Sequence, residues 1–238
     1  MRTIGLIGGM SFEATAIYYR QINEAVRARL GGLHSAQLLL RSLDFQPIVA
    51  LQRAGDWTGA GAVLASAARE LQDGGADCVL ICANTMHLVA DEVATAVAVP
   101  LIHIIDETAQ RLLAAGHRRP LLLATRYTME HGFYAQRMQR HGIEIVLPDA
   151  AGRAETHRII FEELCAGRVL DASRQSLRAL VAQARGAGAD AVILGCTELG
   201  MILDPDALPL PGFDTTLIHS EAAVAFALAD RAGHDGPG

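Results

Sequence analysis

The stretch Gly188-Ala-Asp-Ala-Val-Ile-Leu-Gly-Cys-Thr-Glu198 joins a short apolar run to three reactive side chains. Residues 191–194 are apolar and lie between turn residues, which predicts a buried strand of a parallel sheet. Cys196, Thr197 and Glu198 follow that strand directly. Because ligands bind at the carboxyl ends of the strands in open α/β sheets, a thiol, a hydroxyl and a carboxylate at this edge indicate a chemical site.

An earlier stretch has the same layout of Gly-Ala-Asp, apolar strand and small polar turn. It reads Gly75-Ala-Asp-Cys-Val-Leu-Ile-Cys-Ala-Asn-Thr85. Aligned residue by residue, the two stretches place Ala83 at the position of Cys196, so only one copy carries a thiol there. The next two positions correspond as Asn84 with Thr197 and Thr85 with Glu198. The chain therefore contains an internal repeat whose two copies have unequal chemistry.

Apolar strand-like runs alternate with amphipathic helical segments along the rest of the chain, and the order of units begins again near residue 120. The further predicted strands are residues 2–8, 35–43, 99–104, 120–124, 143–147 and 208–213, and the predicted helices include 60–71, 86–98, 157–165 and 217–228. Alternating units of this kind form parallel sheets. We therefore predict an α/β fold of two pseudo-symmetric lobes, each a parallel sheet flanked by helices, with the active site in the cleft between them.

The repeat also predicts the domain organisation. Residues 1–107 form the first lobe, together with a C-terminal helix at 215–230 that returns to it. Residues 108–214 form the second lobe. The Gly-, His- and Pro-containing residues 231–238 are expected to be a frayed tail.

Composition excludes several functions. All 20 basic Lys/Arg positions are arginine, so the chain lacks the lysine that PLP enzymes, Walker loops and Schiff-base aldolases require. The net charge of −6 gives no reason to expect nucleic-acid binding. No apolar run reaches the roughly 20 residues of a membrane span, so we expect no membrane association. Four cysteines without framework spacing, and an N-terminus without a signal-peptide layout, favour a cytoplasmic protein.

Two such sites facing each other across a cleft place one reactive group on each side of a small ligand. This arrangement suits proton transfer at a tetrahedral carbon, with a base on one face and an acid on the other. A cysteine plays either part when its pKa is lowered, for example at a helix N-terminus. Cys196 precedes a predicted helix, so we expect a lowered pKa. Glu198 is expected to orient Cys196 or a ligand ammonium group.

Five motifs resemble those of the aspartate/glutamate racemase family, most closely its bacterial broad-specificity members. They are Gly8-Gly-Met-Ser11, Cys82-Ala-Asn-Thr-Met-His87, Thr125-Arg-Tyr-Thr-Met129, Ile160-Phe-Glu-Glu-Leu164 and Gly195-Cys-Thr-Glu198, and they keep the family's order over nearly the whole chain. The resemblance implies two similar α/β lobes, proton abstraction and return at Cα of a small dicarboxylic amino acid, no cofactor, and a homodimer. It also implies that Cys196 is one of two proton carriers.

The other carrier in the family precedes Asn-Thr and is cysteine or threonine. Here that position is Ala83, and a methyl group cannot carry a proton. Cys82 is one residue early, which places its side chain on the opposite face of the strand. Several hypotheses stay open. The protein is a racemase inactivated at Ala83, or it racemises slowly with water or Thr85 as the proton donor. Alternatively, it is a one-thiol decarboxylase of a malonate-like acid, similar to the arylmalonate decarboxylases, or a catalytically silent amino-acid binding protein.

The other candidates each have a structural alternative. The predicted substrate-binding residues are Met10, Ser11, Gln52, Asn84, Thr85, Thr125, Arg126, Thr197 and Glu198. The Gly8-Gly9 turn suits either anion binding or tight strand–helix packing, and Asn84, Thr85 and Thr197 suit either carboxylate binding or helix capping. Arg126 pairs with a substrate carboxylate or with a surface acid.

The remaining histidines and cysteines have other predicted roles. His87 and His219 are structural or tune the thiol, and Cys78 and Cys165 are predicted core residues. No cluster of side chains has metal-ligand spacing.

Overall fold

The first half of the chain builds one three-stranded parallel sheet and the helices that cover it. The computed structural model describes residues 1–229, so the predicted tail at 231–238 lies outside the described residues. The elements of this half are β1 (Ile4–Gly8), α1 (Phe12–Leu30), β2 (Leu38–Ser42), α2 (Phe45–Ala54), α3 (Trp57–Asp73), β3 (Cys78–Ile81) and α4 (Ala90–Thr95). The strand order is β2-β1-β3. All residues of β1 and β3 are buried, as expected for parallel strands with both faces covered.

The second half builds a similar sheet. Its elements are α5 (Ile104–Ala114), β4 (Pro120–Leu123), α6 (Arg126–Glu130), α7 (Phe133–Arg140), α8 (Ala150–Arg158), α9 (Asp171–Gly186), β5 (Ala191–Leu194), β6 (Gly212–Asp214) and α10 (Thr215–Leu228). The three strands are parallel and ordered β4-β5-β6. The predicted α/β fold with two parallel sheets flanked by helices is therefore confirmed. No helix among residues 1–229 combines the length and apolar character needed to cross a membrane.

The internal repeat also holds at the level of single hydrogen bonds. Gly75 and Gly188 both have positive φ, 95° and 87° in turn, which glycine adopts without steric cost. In the first copy, the Asp77 carboxylate accepts a hydrogen bond from the Thr3 backbone N–H over 2.7 Å. In the second copy, the Asp190 carboxylate accepts one from the Arg119 backbone N–H over 3.0 Å. Each aspartate thus fixes the start of the strand beside its own, which explains why Gly-Ala-Asp recurs before both strands.

Two predicted strands are reduced to single bridging residues. Leu101 pairs with Val79, and Val146 pairs with Leu121, each in parallel orientation. The first is cut short because α5 begins at Ile104, where the His103 side chain accepts from the Ile105 backbone N–H. The second lies at the outer edge of its sheet. Leu101 lies where β6 lies in the second sheet, and Val146 lies where β2 lies in the first sheet. Both sheets therefore share one strand order, and each has one edge strand reduced to a single bridge.

Some helix boundaries also differ from the prediction. The helix predicted from residue 86 to 98 is a 3₁₀ turn, Thr85–Val89, followed by the short α4. The helix predicted at 157–165 is the end of α8, which continues as one wide π turn, Ile159–Glu163, and a 3₁₀ turn, Leu164–Ala166. Wide and tight turns of this kind change which side chains face a neighbour, which periodicity alone does not reveal.

The two halves exchange helices. The buried side chains of α10, including Ala223 and Val224, pack with Tyr18 of α1 in the core of the first sheet. Conversely, α5 follows the first sheet in the chain, but its buried residues pack with Leu122 and Ile193 of the second sheet. The division into 1–107 plus 215–230 and 108–214 stays a prediction, and α5 spans its boundary.

Candidate active site

The carboxyl ends of both sheets meet at one cavity that is partly open to solvent. The predicted site residues from the first half that line it are Met10, Ser11, Gln52, Ala83, Asn84 and Thr85. Those from the second half are Thr125, Cys196, Thr197 and Glu198. Tertiary structure therefore brings the two copies of the repeat to opposite walls of one space. Arg126 is the predicted site residue that it does not bring there, and its side chain is exposed.

Cys196 lines the cavity from the second half of the chain. Its Sγ donates a hydrogen bond to Oε2 of Glu198 over 2.9 Å. Burial, followed by the nearby negative charge of Glu198, raises the pKa of the Cys196 thiol well above its ordinary value. The expectation of a lowered pKa is therefore wrong. The segment after Cys196 is a 3₁₀ turn of five residues, Thr197–Met201, and the carboxylate two positions on disfavours the thiolate. The resting thiol is protonated.

Glu198 gathers donors from three parts of the chain. Its Oε1 accepts from the Ser11 hydroxyl over 3.1 Å and from the Cys165 thiol over 3.9 Å, while its Oε2 accepts from Cys196. Ser11 belongs to the first half of the chain, so its bond to Glu198 connects the two halves. A carboxylate held by several donors has a fixed orientation. Glu198 is therefore positioned to hold the Cys196 thiol in place.

Cys165 is a site residue that the sequence did not reveal. It was predicted to be a core residue, but it is exposed and lines the cavity. Burial of its sulfur and the charge of Glu198 raise its pKa to about 12. No strand end or repeat marks this position in the sequence, and only the irregular turn after α8 brings it to Glu198. Cys78, by contrast, is buried as predicted.

Asn84 carries an acceptor atom without a partner. Its Nδ2 donates to the Thr215 hydroxyl over 3.0 Å, and that hydroxyl donates to the Leu194 carbonyl over 2.9 Å. Because the Thr215 proton is used on the carbonyl, its oxygen must accept from Asn84, which fixes the orientation of the amide. Asn84 Oδ1 is buried and unpaired, and Asn84 lines the cavity. Since buried acceptors are normally paired, this oxygen is suited to a ligand N–H donor.

Hydroxyl groups from both halves of the chain meet at the cavity. Thr85 Oγ1 lies 3.0 Å from the hydroxyl oxygens of both Thr125 and Thr128. Thr125 also caps α6 by accepting from the Thr128 backbone N–H, so capping is part of its role. Asn84 makes no side-chain capping bond to the turn that follows it. The side chain of Asn84 is therefore free of the capping role that the sequence offered as its structural alternative.

Gln52 reaches the cavity from the first half of the chain. It lies in α2, is buried, and its Nε2 donates to the Met86 sulfur over 3.0 Å. Six apolar residues also line the cavity, and together we call them the apolar wall. The apolar wall consists of Met10, Phe45, Met86, Tyr127, Ile160 and Phe161.

The glycine turn after β1 is explained by packing. The Gly9 backbone N–H donates to the Thr15 hydroxyl over 2.8 Å, so it is used within the fold. A Cβ atom at Gly9 would lie 2.1 Å from the Leu43 carbonyl oxygen, and φ at this position is +86°. Close approach of the backbone therefore requires glycine here. Of the two alternatives for this turn, the structure supports tight strand–helix packing.

The two candidate histidines are buried behind the site, outside the set that lines the cavity. His87 Nδ1 donates to the Ala83 carbonyl and its Nε2 accepts from the Ile104 backbone N–H. His219 Nε2 donates to the Ile102 carbonyl and its Nδ1 accepts from the Tyr18 hydroxyl. Burial lowers the pKa of His87, and it lowers that of His219 to about 4. Both rings are neutral and structural in this arrangement.

Comparisons with known proteins agree with this geometry. Residues 7–223 match the profile of the family described as Asp/Glu/Hydantoin racemase. A candidate Asp/Glu racemase from Yersinia pestis is 46% identical, covers 96% of this chain and 100% of its own, and superposes with a TM-score of 0.91. An aspartate racemase homologue from Pyrococcus horikoshii is 35% identical over 95% and 99% of the two chains, with a TM-score of 0.85. The broad specificity amino-acid racemase RacX of Bacillus subtilis is 25% identical over 67% of this chain and 69% of its own.

Proposed function

This chain belongs to the Asp/Glu/Hydantoin racemase family, and we propose that it transfers a proton at Cα of an amino acid. Of the two positions related by the repeat, Ala83 and Cys196, Cys196 is the one with a thiol that can carry this proton. One observation carries the proposal: Cys196 and Ala83 occupy the duplicated positions on the walls of one cavity, and the Cys196 thiol is bonded to Glu198. The names of the relatives make aspartate and glutamate the first substrates to test.

The steps begin at the Cys196 thiol. The thiol loses its proton to water, and the thiolate then takes the proton from Cα, which leaves a carbanion stabilised by the α-carboxylate. The S–H group formed in this step exchanges its hydrogen with solvent, and return of the solvent hydrogen from the same sulfur regenerates the original enantiomer labelled at Cα. Inversion requires a donor on the opposite face, where Ala83 offers a methyl group. We therefore expect exchange of the α-proton to be faster than racemisation.

Nuclear magnetic resonance of amino acids in deuterated water tests this proposal. We expect the α-proton signal of at least one amino acid to disappear while chiral analysis shows a smaller loss of the starting enantiomer. Cys196→Ala should abolish the exchange, whereas Cys78→Ala, which removes a buried thiol outside the cavity, should retain it. Absence of exchange from either enantiomer of every amino acid tested would reject the proposal.

A second candidate function rests on the protonated state of Cys196. A malonate-like diacid that loses carbon dioxide by cleavage of a C–C bond leaves a carbanion, which needs one proton donor and no base. The Cys196 thiol supplies that proton, a C–H bond forms, and water then reprotonates the sulfur. Release of carbon dioxide from aryl- or alkylmalonates, lost in Cys196→Ala, tests this candidate, and no release removes it.

The proposal includes a homodimer in a reducing, cytoplasmic compartment. The family resemblance supports the dimer, and all four cysteines are free thiols, which supports a reducing environment. Light scattering from the purified protein tests the dimer, and a single species with the 25.3 kDa mass of one chain would contradict it. Cell fractionation tests the location.

A further inference from the structure

The cavity has an unusual charge balance for a site that takes dicarboxylic amino acids. Among the described residues that line it, Glu198 is the only charged side chain, and it is negative. The chain has no lysine. The nearby arginines are occupied or outside: Arg158 pairs with Glu155 and Glu163, and Arg126 is exposed. A second carboxylate on a bound substrate would therefore enter without a cationic partner.

Two acceptor groups of the cavity suit an ammonium group. Asn84 Oδ1 is a buried acceptor without a partner, and the Glu198 carboxylate carries the charge that an ammonium group neutralises. The Thr85 and Thr125 hydroxyls also line the cavity, and an α-carboxylate that accepts from them replaces the hydrogen bond between them. These groups account for the two charged ends of an amino acid, and no further charged group lines the cavity for its side chain.

Apolar residues form most of the rest of the lining, in which Ser11, Gln52 and Thr197 are polar and uncharged. The apolar wall supplies two aromatic rings from the second half of the chain, and neighbouring rings hold them in place. Tyr127 packs edge-on against Trp57 with ring centroids 6.1 Å apart, and Phe161 packs against His157 at 4.6 Å. A rigid apolar surface stabilises an apolar side chain by removing it from water, whereas a carboxylate placed there loses its hydration without compensation.

Resting on the proposed amino-acid chemistry, we infer that this cavity prefers amino acids with uncharged, apolar side chains of about the length of methionine to aspartate and glutamate. The negative charge of Glu198 and the apolar wall both disfavour an acidic side chain. Glutamine is accepted better than glutamate because it has the same shape without the charge, and methionine is accepted better than glutamine because it has no amide to desolvate.

Glutamate, glutamine and methionine form the test series, because they have similar length and differ in charge and polarity. Thermal stabilisation of the full chain measures binding, and α-proton exchange in deuterated water measures chemistry. We expect methionine to stabilise the protein with an apparent Kd about tenfold or more below that of glutamate, with glutamine between them. Tighter binding of glutamate than of methionine, or stabilisation by none of the three, would overturn the inference.

A charge insertion sharpens the test. Cys165→Arg places a cation at the cavity beside Glu198, and we expect it to shift the ratio of the two Kd values toward glutamate by about tenfold. Ala166→Arg adds the same charge on the neighbouring exposed residue of the same turn and serves as the matched control, with the wild-type ratio. Equal ratios in both variants would contradict the role of charge. Binding of methionine without exchange would reject the proposed function and leave the inferred preference standing.

Discussion

Ala83 and Cys196 each lie two residues after the end of their strand, β3 or β5, and both line the same cavity. The fold thus presents two equivalent positions to one ligand, and a proton carrier stands at only one of them. This asymmetry separates two events that a symmetric pair would couple. Removal of the α-proton needs one carrier, whereas inversion at Cα needs two.

Restoring a carrier at the first position should couple these events again. We predict that Ala83→Cys raises the racemisation rate by at least about 100-fold, because a positioned general acid contributes roughly that factor. Ala83→Thr should raise it as well. The rate of α-proton exchange should change much less, since Cys196 already carries it. Chiral chromatography and exchange measured on the same samples provide the comparison.

The matched control for this variant is Ala83→Val, which adds volume without a group that can donate a proton. If Ala83→Val and Ala83→Cys have the same effect, the change comes from packing, and the prediction is wrong. A racemisation rate in the wild-type protein equal to its exchange rate would also contradict it, because that result requires an efficient second carrier.

The pH dependence distinguishes the two candidate functions. Burial and the Glu198 charge raise the pKa of the Cys196 thiol well above its ordinary value. Below that pKa the thiolate fraction rises about tenfold per pH unit. The rate of α-proton abstraction should therefore rise about tenfold for each pH unit between pH 7 and 9, without a plateau. A decarboxylase that uses the thiol as donor should be nearly flat over the same range.

Glu198→Gln should shift the abstraction profile toward lower pH, because removal of the negative charge lowers the pKa of the thiol. Its maximal rate should also fall, since the carboxylate that holds the Cys196 sulfur in place is lost. Glu162→Gln makes the same charge change at an exposed position outside the cavity and should keep the wild-type profile. An unshifted profile in Glu198→Gln would show that Glu198 does not set the state of Cys196.

The orientation of Asn84 depends on Thr215. Thr215→Val removes the acceptor of the Asn84 amide and the donor to the Leu194 carbonyl, both buried. We predict a loss of about 1–3 kcal/mol in the free energy of unfolding and weaker amino-acid binding. Thr215→Ser keeps the hydroxyl and should retain both properties. Denaturant unfolding and thermal shift measure them, and unchanged ligand affinity in Thr215→Val would remove the role assigned to the amide.

Acid should destabilise the protein through its buried histidines. Burial lowers the pKa of His219 to about 4 and that of His103 to about 3. Because the folded-state pKa lies below the unfolded value near 6.5, this stability is present above pH 6.5 and is lost as the pH falls toward 4 and 3. For His219 alone the loss by pH 4.5 is on the order of 2 kcal/mol.

The variant His219→Gln should be less stable at pH 7, since Tyr18 and the Ile102 carbonyl lose their partner, but its stability should decline less between pH 7 and 4.5. His34→Gln, at an exposed position, should decline like the wild type. Urea unfolding at both pH values gives the difference. An equal decline in both variants would place the acid-sensitive groups elsewhere.

The sequence by itself determined the local features. The apolar runs of the repeat predicted β3 and β5 correctly, because a short buried parallel strand has few polar residues. The sequence also predicted the C-terminal helix, and in the structure the Asp214 carboxylate accepts from the Thr216 and Leu217 backbone N–H groups at the start of α10. The duplicated strand ends identified Ala83 and Cys196, since ligand sites follow strands in this kind of fold. Each of these signals lies within a few residues of the feature that it predicts.

Only the tertiary structure decided the properties that depend on distant neighbours. The pKa of Cys196 depends on burial and on Glu198, and the sequence motif of a thiol before a helix indicated the opposite direction. Cys165 reaches the cavity because the turn after α8 is irregular, and Arg126 stays outside because its side chain faces solvent. Burial and electrostatic interactions are sums over atoms that the chain brings together from far apart, so no local pattern encodes them.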